Sequence, residues 1–313
     1  MKITRYILLV FIFFAGMNSH VSAQKKIKAM IATGQDGSHW WKGGNDAMKQ
    51  ILENTGLFTV DIIETPDWGG DMKLFNPDFS KYELVIINYG GATWAEETRK
   101  NFEKFVADGG GVVAVHSSMV PMEDWPAYNE IIGLGAWNGR NEKWGPYVYW
   151  ADGKFVYDYS PGWAGHHALQ RMSTIEHRNP EHPILKGLNP VWRHFKDEIY
   201  SKLRGPAKNM EILATTWDGS EDGGSGRHEP MIWTVKYGKG KAFVTLLGHA
   251  GNDPELRYAM ECTGFQVTLA RGAEWAATGK VTQGIPDDFP TENVYTLRPE
   301  FRYIDKGKVV SKN

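Results

Sequence analysis

The chain of 313 residues holds a single cysteine, Cys262. No internal disulfide can form, so an apolar core must hold the fold without covalent staples, whatever the redox state of the compartment. An excess of charge is lacking too: 35 Lys and Arg stand against 37 Asp and Glu, and no basic stripe runs along the sequence. That balance gives nucleic acid or an anionic membrane surface no electrostatic handle. No HExxH or comparable zinc motif occurs. Nor is there an internal repeat, a long low-complexity segment, or an apolar run long enough for a spanning helix, which needs about 20 residues.

The longest apolar run, residues 6–15, follows Lys2 and Arg5 and leads to Val21-Ser22-Ala23 and Gln24. Basic start, short apolar stretch and small-residue cleavage site form the order of a secretory signal peptide. No cysteine follows to take a lipid. The expectation is an exported protein, periplasmic or extracellular, with no membrane span after processing. The chain divides into a signal peptide (1–23), one α/β domain (24–280) and an extended C-terminal tail (281–313) punctuated by Pro286 and Pro290.

Residues 27–32, 59–63, 84–88 and 112–115 are nearly continuous apolar or β-branched runs, which suits strands covered on both faces of a parallel sheet. Between them, residues 46–54 and 95–106 carry helical periodicity, the second with Glu96 and Glu97 in its first turn and a triple-glycine stop. Strand and helix alternating through short connections predict a doubly wound, mainly parallel sheet. Residues 121–166 break the pattern. They hold Trp125, Trp137, Trp144, Trp150 and Trp163 among glycines, and read as a long aromatic lid. Strands resume at 171–177, 211–217, 231–235 and 241–247, and a helix is expected over 254–270, enclosing Cys262.

In such sheets ligands sit beyond the carboxyl ends of the strands. Three histidines fall there: His39 after the first strand, His116 after the fourth, His249 after the last. Imidazole titrates near neutrality and suits proton transfer to a hydroxyl or carbonyl. Glu198, ending an apparent strand, and Glu229, beside His228 before the strand at 231, are carboxylates able to orient an imidazole or share a cation with it. Their plainer reading is structural, with Asp197 and Glu198 capping or pairing with Arg193 or Arg204. Trp40, Trp41 and Trp163, with His166, His228 and Ser117, are candidate substrate contacts, because an indole ring covers the apolar face of a sugar while polar groups hold its hydroxyls. Most tryptophans in any protein simply fill core. No cofactor is required by these residues; a divalent metal is an open alternative, with His116, His228, His249 and Glu198 as ligands.

Five ordered motifs carry a resemblance: Gly109-Gly110-Gly111 leading to His116-Ser117, His182-Pro183-Ile184, Asp197-Glu198-Ile199-Tyr200, His228-Glu229-Pro230-Met231, and Gly238 to Gly248-His249. Together with Glu274-Trp275-Ala276-Ala277-Thr278-Gly279 they resemble the ThuA-like (trehalose utilisation) family over nearly the whole chain after Ile27. The resemblance implies a class I glutamine amidotransferase-like fold, a flavodoxin-like sheet with extra strands. It places His116 where those enzymes carry their cysteine nucleophile and His249 where they carry the catalytic histidine, while Gly251 replaces the acid expected two residues on. Without a thiol there is no thioester route, so glutaminase activity is not expected. Ser117 is offset by one residue from that elbow and is a weak nucleophile candidate.

The family's link to disaccharide use implies a small-molecule carbohydrate as ligand and sugar oxidoreductases as partners in the same pathway. The reading favoured by the residues is an enzyme in which His116 and His249 act as acid and base on a glycoside or keto-sugar, with Glu198 or Glu229 orienting them. The alternative is a non-catalytic sugar-binding or accessory protein on the same fold.

Overall fold

The structure, a computed structural model, describes residues 25–251, 258–298, 304–305 and 308–309. The expected signal peptide, and the expected helix start at Pro254, lie outside the described residues.

The first half builds in order: β1 (Ile27–Thr33), α1 (Trp41–Asn54), β2 (Phe58–Glu64), β3 (Leu84–Ile87), α2 (Glu96–Ala107), β4 (Gly111–Val115) and α3 (Pro126–Ile132). A hairpin, β5 (Tyr147–Ala151) and β6 (Lys154–Asp158), precedes β7 (Arg171–His177), β8 (Val191–Asp197), β9 (Met210–Asp218), β10 (Arg227–Tyr237) and β11 (Gly240–Thr245). Helices α4 (Tyr258–Glu261) and α5 (Thr263–Thr278) follow, then the short pair β12 (Ile304–Asp305) and β13 (Lys308–Val309).

One sheet runs β2-β1-β3-β4-β11-β10-β9-β7-β8, with the β5–β6 hairpin joined to β10 at His228 and Trp150. From β2 to β11 every neighbouring pair is parallel; from β11 to β8 every pair is antiparallel. The fold is therefore mixed α/β, and the expectation of a mainly parallel sheet describes its first five strands. The central strands β3 and β4 are apolar on both faces, Leu84 to Ile87 and Val112 to Val115 being fully buried, whereas the edge strand β2 alternates buried and exposed residues. Helix α5 lies across β4 and β11 and touches α1.

Several expectations shift. Helix α1 begins at Trp41, five residues before the periodicity begins, because Gly43 and Gly44 are poor helix formers in isolation. Packing requires them there: a Cβ on Gly43 would lie 2.1 Å from the Trp40 ring. The segment 121–166 is not irregular throughout but contains α3 and the β5–β6 hairpin, and its Trp125 is core. Cys262 does not lie inside a helix; it is the extended residue between α4 and α5 and bridges to Leu297. His228 and Glu229 do not precede a strand but sit within β10, which begins at Arg227.

The antiparallel half curls so that its last strand meets the helix layer. Trp192 of β8 is fully buried and packs over Gly264 at the start of α5, where a Cβ would stand 2.2 Å from the indole. This return brings the end of β8 beside the ends of β4 and β11, and it decides where Glu198 lies.

Candidate active site

Four strand ends deliver the site. The loop after β1 carries Asp36 and His39; His116 directly follows β4; β8 ends in Asp197, with Glu198 next; the turn after β11 carries His249. One donor atom from each of His39, His116, Glu198 and His249 can be chosen so that all lie within 4.8 Å of one another. The His116 and His249 side chains are only 4 % and 5 % exposed and form the floor, while His39 and Glu198, at 11 % and 14 %, form the side open to solvent.

Each member is held from behind. His116 sits at φ 45°, the left-handed region that a non-glycine residue occupies only when its surroundings impose it. Its Nδ1 is 2.6 Å from the Leu246 carbonyl. A carbonyl can only accept, so Nδ1 carries the proton and Nε2 turns inward, 3.1 Å from His249 Nδ1 and 3.4 Å from Glu198 Oε2. His249 Nδ1 is itself 3.2 Å from Glu198 Oε2. The turn after His116 is pinned by Ser118, whose hydroxyl donates to the Ile87 carbonyl at 2.7 Å.

Asp197 is the buried clamp. One oxygen accepts from the Gly248 amide (2.8 Å) and from His194 Nε2 (2.8 Å), the other from the amides of Glu198 (2.8 Å) and His249 (3.2 Å). It thus ties the backbone of two site residues together across the sheet. Burial alone would raise the Asp197 carboxyl, but its contacts with His194, and the amides, hold it below the usual range. Burial likewise opposes charge on His194, yet Cys262 and Asp197 push it up to about 10.

His39 has its own carboxylate. Asp36 Oδ1 accepts from the amides of Ser38 (2.9 Å) and His39 (3.0 Å), and His39 Nδ1 lies 3.0 Å from the same oxygen. The ring's Nε2 faces the Tyr200 hydroxyl at 3.3 Å and Glu198 Oε2 at 3.8 Å. Burial works against a charged ring, but Asp36 and Glu198 outweigh it and raise His39 to about 9. Burial also raises Glu198, and the surrounding imidazoles overcome it and hold the carboxyl far below the ordinary range. His249 moves the other way, lowered by burial and by His116 against the opposing pull of Glu198.

The aromatic wall is Tyr200, whose ring is 4.5 Å from that of His116, backed by Trp137 at 4.8 Å and His167 at 5.9 Å. Trp40 ties the loop after β1 to the turn after β11, its amide donating to the Ala250 carbonyl at 2.7 Å. Trp41 opens α1, and its carbonyl accepts from Asn88. Ser117 is buried against Asp36 and helps to lower that carboxyl, the larger contributions coming from burial, which opposes, and from His39. His166 bridges to Ser201, and Trp163 is 70 % exposed.

Glu229 and His228 do not join the cluster. His228 lies 3.4 Å from Glu176, its ring tilted against that of Trp217 at 5.1 Å. Glu229 is buried with one oxygen lacking any hydrogen-bond partner, and burial, partly offset by Ser225 and the Lys202 amide, raises it to about 7. The structural alternative for Glu198 is not what is seen: Arg193 donates to Thr174 and Arg204 to backbone carbonyls of Gly145 and Ser160. The sequence reading missed Asp36 and Tyr200 and treated Asp197 as a cap. The Asp-x-x-His spacing at 36 and 39 was the available signal for the first; the others become visible only when β8 is placed.

The chemistry open to this arrangement is proton transfer by a carboxylate-backed imidazole beside a floor of nitrogen and oxygen donors. Those donors, His116, His249 and Glu198, are also the types that hold a divalent cation.

Comparison with known proteins agrees in one direction. The family profile described as trehalose utilisation, ThuA, matches residues 28–276. A ThuA-like protein from Parabacteroides merdae, solved by crystallography, is 50 % identical, with 88 % of this chain and 99 % of that one covered at a TM-score of 0.86. A ThuA-like protein from Bacteroides uniformis shares the fold at 18 % identity, covering 84 % and 96 % of the two chains with a TM-score of 0.54. A search of curated proteins finds no match. With four fifths of its length inside the family profile, this chain belongs to the ThuA-like, trehalose utilisation family.

Proposed function

We propose that this is an exported carbohydrate-processing enzyme that acts on a glycoside or keto-sugar at the His39, His116, Glu198 and His249 centre. The convergence of three imidazoles and one carboxylate from four separate strand ends carries the reading. Family membership supports the substrate class, by analogy and not by geometry. The leader-like order of residues 1–23 supports export.

In this reading His39 exchanges protons with the sugar. Asp36 fixes its Nδ1 as donor, leaving Nε2 to face the open side next to the Tyr200 hydroxyl. His116 and His249 have their inward nitrogens committed to each other and to Glu198, and so stabilise charge at the floor. Removing a proton from the carbon beside a ketone sends an electron pair toward the carbonyl oxygen. When that pair returns, a carbon–carbon double bond forms and the bond to an oxygen on the next carbon breaks, that oxygen leaving with a proton, which is an elimination. Where the deprotonated carbon bears a hydroxyl, that hydroxyl instead loses its proton to become the new carbonyl while a proton returns to the former carbonyl carbon, which is an isomerisation. Hydrolysis through paired carboxylates fits less well, since Glu198 and Glu229 do not meet. The five parallel strands serve as a flavodoxin-like, doubly wound platform, and residues around Trp137 and Trp163 as the aromatic lid over the sugar. A sugar oxidoreductase supplying the ketone is the natural partner.

The test is mass spectrometry of purified protein incubated with ordinary disaccharides and with their keto derivatives. Product is expected from a keto-glycoside. His116→Ala should abolish it while leaving the melting curve close to wild type. Binding in calorimetry without product from any sugar would instead identify a non-catalytic sugar-binding protein.

A further inference from the structure

We infer that His116, His249 and Glu198 form a binding site for one divalent transition-metal ion, with His39 standing beside its open side. The inference rests on reading this cluster as the working site, and not on the sugar.

Spacing is the first argument. His249 Nδ1, His116 Nε2 and Glu198 Oε2 are separated by 3.1, 3.2 and 3.4 Å. Bonds of about 2.0–2.2 Å to an ion place adjacent ligands about 3.0 Å apart in an octahedral set and about 3.4 Å apart in a tetrahedral one. The three atoms thus already outline one face of a coordination polyhedron. His39 Nε2, 3.8 Å from Glu198 and engaged with Tyr200, lies outside that triangle.

The proton inventory is the second. With His116 Nδ1 donating to the Leu246 carbonyl, the ring's other nitrogen, Nε2, faces His249 Nδ1 and Glu198 Oε2, and all three atoms are of the kind that offer a lone pair to one shared centre. A proton on His249 Nδ1 can lie along only one of the two directions at a time. A dipositive ion at the centre of the triangle satisfies all three together.

Support from outside the triangle is the third. The Leu246 carbonyl sets the tautomer of His116, and Asp197, with His194 behind it, fixes the backbone of both Glu198 and His249. Outer hydrogen bonds of this kind orient metal ligands and tune their basicity. Two imidazoles and a carboxylate with open positions suit Fe²⁺, Mn²⁺ or Zn²⁺; Ca²⁺ and Mg²⁺ favour all-oxygen sets. No sequence motif announces the site because its ligands come from positions 116, 198 and 249. Bound there, the ion would take a sugar carbonyl or hydroxyl oxygen as a further ligand and polarise it.

The full exported chain, purified without a metal-affinity column and treated with chelator, should rebind about one equivalent of Zn²⁺ or Mn²⁺, measured by plasma mass spectrometry, and melt higher with the ion. Ca²⁺ should do neither. His249→Ala and Glu198→Gln should weaken binding by about tenfold or more, and His228→Ala should leave it unchanged. Co²⁺ bound to the wild-type chain supplies a visible spectrum of mixed nitrogen and oxygen coordination, which keeps the question answerable if a variant fails to fold. Failure of the wild type to bind Zn²⁺, Mn²⁺ or Co²⁺, or full binding by both ligand variants, overturns the centre. Product formed by chelator-treated, metal-free protein also overturns it and leaves the sugar reading standing; metal bound without product from any sugar does the reverse.

Discussion

At the scale of single residues, the site is a set of side chains whose outer contacts fix which atoms turn inward. His39 is the clearest case, since Asp36 takes one ring nitrogen and leaves the other to face the open side. General acid or base catalysis contributes about 10² to 10⁴ in rate, so His39→Ala should lower kcat by that order with a much smaller change in KM. Asp36→Asn should lower kcat as well, because the amide keeps an oxygen for the Ser38 and His39 amides but removes the negative charge that, with Glu198, favours a protonated His39. Steady-state kinetics on a sugar that yields product checks both. An unchanged kcat in His39→Ala would remove His39 from the chemistry.

Glu229 gives a second prediction, on stability. Its folded pKa of about 7 stands above the ordinary 4.5 because it is buried. The folded state therefore keeps a proton that the unfolded state releases, and the stability this contributes is full below about pH 4.5 and lost as pH rises through about 7. Above that the cost is roughly 3 kcal/mol, at about 1.4 kcal/mol per unit. Glu229→Gln keeps an acceptor for Ser225 and the Lys202 amide and cannot ionise, so its melting temperature should fall less between pH 5.5 and 8.5 than the wild type's. Thermal unfolding in the two buffers measures it; parallel curves would refute the assignment.

At the scale of elements, the contact between β8 and α5 positions Glu198. Gly264 is there because the Trp192 indole occupies the space a Cβ would need. Gly264→Ala should cost about 1–3 kcal/mol through overpacking. It should also lower turnover more than an equally destabilising core change elsewhere, because it pushes β8 outward. A paired comparison with Val60→Ala, a buried position in β2 at the opposite end of the strand order, separates the two effects. The parallel strands were legible in the sequence, since burial on both faces leaves a continuous apolar run. Strand β8 was legible only at its end, before Glu198: Val191–Asp197 reads VWRHFKD, with buried Trp192 and His194 among charged neighbours. Helix α1 was legible only in part, because its glycines answer to Trp40 and Asn88 and not to helix propensity.

At the scale of the whole molecule, one cysteine and no disulfide leave closure of the fold to packing and to the segment after α5. That segment is fastened: Arg193 donates its amide to Thr291, Asn189 its side chain to Pro290, and Arg271 its guanidinium to Gln283, while Phe289 packs on Trp192. Truncation after Lys280 should therefore expose Trp192 and lower the melting temperature, with the loss of activity following the loss of fold. A truncated chain that melts like the full one would show the strap to be dispensable.

Sequence alone determined the α/β character, the family, and the histidines at the ends of β1, β4 and β11, because alternation of buried runs and the residues that follow them are local properties. Tertiary structure decided which carboxylate joins them. Glu198 and Glu229 were equal candidates on paper, and only the curl of the antiparallel strands, set by Trp192 on Gly264 and by the Asp197 clamp, brings one to the imidazoles and leaves the other buried inside β10. Such contacts join residues about 50 to 70 positions apart in sequence; no local pattern encodes them, because the energy that selects them exists only once both surfaces have formed.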